Sequence, residues 1–111
     1  MNLRYLNTAE AGLTWMRRYY REQPQLNAQK VVASLMRAET VLRDNPFAGP
    51  AYEDSLRVRT YPLQGTVFSF LYTVTEDTVW IIDVHDQRGY RSAEALRHFT
   101  AELRQRMRGE G

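Results

Sequence analysis

Two arginines, Arg57 and Arg59, stand two residues apart in a stretch that alternates, in a chain that uses Arg almost to the exclusion of Lys. Of its 15 basic residues, Lys30 alone is Lys. Arg carries a planar fork of donors that fits a carboxylate or a phosphate, and it stays protonated at neutral pH. Such residues supply contact and charge and do not move protons. Groups that move protons near neutrality are scarce: the chain has 2 His, His85 and His98. Asp83-Val84-His85-Asp86 has the residue types of a metal site. With so few His, no Cys and no second cluster, it lacks a ligand set, and no metal is expected. The missing Cys also removes disulfides and a thiol nucleophile. Gly-x-Gly-x-x-Gly, Gly-Lys-Ser/Thr and Gly-x-Ser-x-Gly are absent, so no nucleotide cofactor and no serine nucleophile are expected.

The formal charge of +2 is too small to indicate nucleic-acid binding by itself. Its distribution is uneven, because Arg88, Arg91, Arg97, Arg104, Arg106 and Arg108 face only Glu94 and Glu102 within the same stretch. The C-terminal fifth is thus a basic patch on a nearly neutral chain. At 111 residues, with 43% hydrophobic and 25% charged, the chain has the size and composition of one globular domain spanning 1–111. No apolar run approaches the ~18 residues of a membrane span. Met1-Asn2-Leu3-Arg4-Tyr5 lacks the layout of a signal peptide. A cytoplasmic protein without membrane contact is expected.

The elements that must position these residues are legible from periodicity. Residues 2–7 read as a short strand. Thr8 reads as an N-cap, and Ala9, Leu13, Met16 and Tyr20 give 9–22 a helical stripe. Pro24 starts a second helix, striped by Val31, Leu35, Ala38 and Leu42 and stopped at Asn45-Pro46. The period then changes to two. Over 57–61, Arg57, Arg59 and Tyr61 fall on one face; over 66–74, Phe68, Phe70, Tyr72 and Val74 do; over 79–85, Trp80, Ile82 and Val84 do. Thr75 to Thr78 reads as a hairpin turn. Ser92 caps a last helix, 92–108, with the stripe Leu96, Phe99, Leu103 and Met107; His98 lies on its polar side. The order β-α-α-β-β-β-α predicts an α+β fold, with the helical hairpin packed on one face of a small antiparallel sheet, strand 2–7 at its edge and the other face partly open.

Four segments then carry a resemblance. Asn45-Pro46-Phe47-Ala48-Gly49, Leu56-Arg57, Phe70-Leu71-Tyr72-Thr73-Val74 and Val84-His85-Asp86-Gln87-Arg88 resemble, in order and spacing, the motifs of the RelE/ParE toxins of bacterial type II toxin–antitoxin pairs. The likeness runs over about residues 3–90. Leu56-Arg57 is nearer the ParE pattern. Arg57 and Arg59 stand where RelE-like members usually carry Lys, and Ser69 stands where they place a basic residue.

The resemblance implies a RelE/ParE-like fold and a ParE-like toxin that arrests growth by poisoning DNA gyrase and is neutralised by a cognate antitoxin in a hetero-oligomer. In that case Arg57, Arg59, Tyr72, Arg88 and Arg91 touch the target or the antitoxin. An alternative is a RelE-like endonuclease that cuts mRNA on the ribosome, with Arg57, Arg59, His85, Arg88 and Tyr90 as its catalytic set. A third is a non-toxic member that only binds its antitoxin. The enzyme question stays open between these readings. None of the three calls for a cofactor or a metal.

Overall fold

The computed structural model describes residues 1–23, 25, 28–53, 57–86 and 92–110, with the side chains of all but 92, 93 and 110. Strand β1 (Asn2–Tyr5) leads through a 3-10 turn (Asn7–Ala9) into α1 (Glu10–Arg21) and α2 (Ala28–Asp44). A meander follows, β2 (Arg59–Pro62), β3 (Phe68–Thr75) and β4 (Thr78–Asp86), and α3 (Ser92–Glu110) closes the described chain. The fold is α+β, with β1 at the sheet edge in the order β1-β4-β3-β2. The sheet is mixed, a correction to the antiparallel sheet expected. β1 runs parallel to β4, Asn2 opposite Thr78 and Tyr5 opposite Ile81, because the whole helical hairpin intervenes before the chain returns to the sheet.

A second correction concerns the layers. The hairpin covers one face, where Met16, Val31, Ala38 and Leu42 pack with Phe68, Phe70, Tyr72, Val79 and Ile81. The other face is not open. Ala95, Phe99 and Leu103 of α3 bury themselves on Leu71, Trp80 and Ile82. The stripe read from the sequence is thus satisfied by the protein's own sheet. Met107, the last residue of that stripe, extends past the sheet and is 43% exposed. β4, paired on both sides and covered on both faces, is buried along its whole length.

β4 also carries a bulge. Leu71 opposes Asp83 while Tyr72 opposes Ile81, so Ile82 is an extra residue and the alternation slips by one. Trp80 and Ile82 therefore face α3 and Val84 faces the hairpin, where one common face was expected. α1 lies directly on this bulge: a Cβ at Gly12 would sit 2.1 Å from the Val84 carbonyl oxygen and 2.3 Å from Asp83 Oδ1.

The start of α1 differs from the sequence reading too. Thr8 is not its cap. The N-cap position is Ala9, with no side-chain cap, and the Thr8 hydroxyl donates to the Ile82 carbonyl at 2.6 Å. The free N–H groups of the 3-10 turn are met from far along the chain: Asn7 and Thr8 donate to the Glu102 carboxylate at 2.7 and 3.1 Å. Arg106 pairs with Glu102 at 3.2 Å and donates to Asn7 Oδ1. One acid and one base of α3 thus clamp it to the β1–α1 junction.

Candidate functional site

The segment after α2 is built by its own chemistry. Pro46 has no N–H to continue the helix. Asn45 N–H still bonds the Val41 carbonyl at 2.8 Å, and Ala48 N–H turns back to the Asn45 carbonyl at 3.1 Å. The turn delivers Gly49 against the sheet. A Cβ there would lie 2.1 Å from the Thr60 carbonyl oxygen and 2.9 Å from the Tyr72 hydroxyl, so only glycine fits. Gly49 is then held from both sides: its N–H donates to Tyr72 Oη at 3.0 Å, and its carbonyl accepts from Arg59 Nη1 at 2.7 Å. The Arg59 guanidinium also lies over the Phe47 ring, 5.0 Å from the centroid, an arrangement that favours both partners. Phe47 itself is 60% exposed. The two together form an aromatic–cation surface at the edge of the sheet.

Beyond Gly49 the chain adds a short rung to β2. Ala51 bridges Arg59, Thr60 N–H donates to the Pro50 carbonyl, and Tyr52 N–H to the Val58 carbonyl. This rung sets the Tyr52 ring edge-on to His85, with centroids 5.6 Å apart.

The expected site residues separate. Arg59 sits on the hairpin face opposite Tyr72, bonded to the Gly49 turn. Arg57 precedes β2, is exposed, and lines a groove with Tyr52, Glu53 and Val58 against Leu96 and Phe99 of α3. Their expected common face is corrected accordingly, because the alternation starts only at Arg59, where pairing with β3 begins. Tyr72 is fully buried. Its phenol is pushed up by burial, with the Gly49 N–H and Arg59 pulling the other way, so it is neutral at physiological pH. It acts on the site by holding Gly49, a correction to its expected place among residues that touch a partner.

His85 is also buried, opposite Ser69, and among the described residues its Nε2 has no hydrogen-bond partner. Desolvation lowers its pKa below 6.5, opposed by the nearby Asp86. His98 is exposed on α3, and it lines a separate cleft of ≈ 360 Å³ with Thr8, Gly12 and Asp83. Arg88, Tyr90 and Arg91, together with Pro24, Leu56, Gln87 and the Ser92 cap, lie outside the described residues and side chains. Among the described residues no group of three or more His, Asp or Glu is placed to hold a metal ion. Nor is any helix among them long and apolar enough to cross a membrane.

The sequence reading missed Phe47, although it sits within the Asn-Pro-x-x-Gly motif. An apolar residue between two turn formers was the available signal.

The architecture places the chain in the α+β class of a helical hairpin and a C-terminal helix on opposite faces of a four-stranded mixed sheet. No protein-family model matches the sequence and no curated protein matches it. A solved structure described as the chromosomal ParDE toxin–antitoxin system from P. aeruginosa contains a chain of similar fold. The TM-score is 0.59 at 22% identity, over 78% of this chain and 95% of that one. The likeness is one of fold, to a chain of the ParDE system.

Proposed function

We propose that the chain is the toxin of a type II toxin–antitoxin pair. It is of the ParE-like kind and acts on DNA gyrase in the cytoplasm by contact and charge, and a cognate antitoxin neutralises it. The observation that carries the reading is the likeness of fold to a chain of the ParDE system, together with four motifs in register along the sequence. The choice of contact over nuclease chemistry is supported by His85, the proton-transfer candidate of the endonuclease reading that lies among the described residues. His85 is buried, whereas a general base must reach the proton that it takes. The cations remain: Arg59 on Phe47, Arg57 on the α3 groove, and Arg97, Arg104 and Arg108 exposed along α3. An acidic antitoxin would be steered to such a surface.

Inducible expression with growth and reporter readouts tests this reading. Growth arrest with induction of the DNA-damage response, reversed by co-expression of the antitoxin from the adjacent gene, is the expected result. An abrupt stop of translation without DNA damage would contradict it.

One observation favours the endonuclease as a second reading. Glu53 and Arg57 line the same groove, so a carboxylate and a cation share one surface, and the Tyr52 ring of that groove lies edge-on to the buried His85. Loss of mRNA cleavage on Glu53→Gln would support that alternative.

A further inference from the structure

The charged side chains of α3 are sorted by direction. Glu102 and Arg106 turn to the β1–α1 junction, where they meet each other and Asn7. Glu94 lines the cleft on that same flank, with Asn7, Thr8 and Gly12. Arg97, Arg104 and Arg108 point elsewhere. At 3.6 residues per turn, steps of seven and four return to nearly one angle, so the three align within about 20° along about 16 Å of helix. All three are exposed, and among the described residues none of them is in an ion pair. Arg108 Nε reaches back to the Arg104 carbonyl at 3.4 Å, which lays its side chain along the stripe. The neighbours on this outer face are Ala101 and Gln105, so no carboxylate interrupts it after Glu94.

We propose that the outer face of α3 binds the phosphate backbone of duplex DNA. The residue types select this partner. A protein interface draws most of its energy from aromatic or aliphatic anchors, and this stripe presents none. A single strand is held on exposed aromatic rings against which its bases stack, and the stripe has no ring. What it presents is three guanidinium forks, which suit phosphate oxygens. They ride on a straight helix of the width that the major groove of B-form DNA, about 12 Å across, admits. The major groove of an RNA duplex is too narrow for that. Attraction of an acidic antitoxin from a distance needs only the sign of this charge; a duplex uses its alignment. The contact is to DNA itself and does not depend on gyrase.

The test uses the full chain and a fluorescent 20-base-pair DNA duplex, read by anisotropy from about 50 to about 200 mM salt. The logarithm of the binding constant is expected to fall against that of salt with a slope of about −3, close to one unit per phosphate neutralised. Arg97→Gln, Arg104→Gln or Arg108→Gln alone is expected to remove about one unit of slope. The three together are expected to weaken binding at least about tenfold at the lowest salt, with circular dichroism unchanged because all three positions are exposed. Arg17→Gln with Arg21→Gln, which removes charge from α1 instead, is expected to leave binding within about twofold. No binding of the duplex at the lowest salt, an affinity indifferent to the triple change, or an equal loss on the α1 change would each overturn the proposal. Tighter binding of an RNA duplex of the same sequence would overturn it in favour of RNA. A polyglutamate peptide bound as tightly would overturn it in favour of an acidic protein segment. Supercoiling inhibited by a chain that does not bind the duplex would sink this proposal alone; a duplex bound by a chain that leaves supercoiling untouched would sink the gyrase reading alone.

Discussion

At Gly49 one residue carries three constraints, and each is checkable. Its missing side chain admits the Thr60 carbonyl, its N–H needs Tyr72 and its carbonyl needs Arg59. Tyr72→Phe keeps the ring and leaves the buried Gly49 N–H without its acceptor. A loss of about 1–3 kcal/mol in urea unfolding is expected, together with a site that loosens around Phe47. His85 gives a pH prediction. Its folded pKa lies below 6.5 because burial disfavours the charged ring, so the unfolded chain binds the proton first. The stability contributed by neutral His85 is complete above pH 6.5 and is lost as pH falls from there toward the lower folded value. His85→Gln should flatten that part of the stability curve; unchanged curvature between pH 7 and 5 would contradict the assignment. At this scale the sequence was partly legible. The apolar alternation Phe68, Phe70, Tyr72 marked Tyr72 as facing the core, but nothing local showed that its hydroxyl would seek a glycine 23 residues away.

Elements meet through a few long-range contacts that periodicity does not reveal. The stripe of α3 was legible as a stripe because helical spacing is a local property. Its destination was not, since a stripe fits a partner's surface as well as the chain's own sheet. The bulge at Ile82 was hidden for a related reason: it is defined by two strands together, and the run from Val79 to Val84 is consistent with either register. Thr8 has the residue type of a cap, yet Glu102 performs that task 94 residues away. Glu102→Ala removes the acceptor for two N–H groups and the anchor of Arg106. A loss of about 1–2 kcal/mol is expected, lowering Tm by about 5–10 °C in a domain of this size. The readout is a thermal melt, with faster amide exchange across α3 and residues 7–10. A melt unchanged within about 1 °C would show that the clamp contributes nothing.

Across the whole molecule, both faces of the sheet are covered by the protein's own helices, and what remains for partners is the rim. It offers the Phe47–Arg59 pair at the β2 end and the Arg57 groove beside α3. Burial of His85 and Tyr72, with Arg57, Arg97, Arg104 and Arg108 left exposed, is in keeping with the contact reading proposed above. Arg59→Lys keeps the charge but loses the guanidinium over Phe47 and its Nη1 bond to the Gly49 carbonyl, so it separates a contact site from a merely charged one. The most direct measurement is plasmid supercoiling by purified DNA gyrase, titrated with the purified chain and with Arg59→Lys. The wild-type chain is expected to inhibit supercoiling, Arg59→Lys to inhibit it at least about tenfold less well, and added antitoxin to restore it. Supercoiling untouched by the wild-type chain, while the same preparation cuts mRNA on programmed ribosomes, would contradict this expectation.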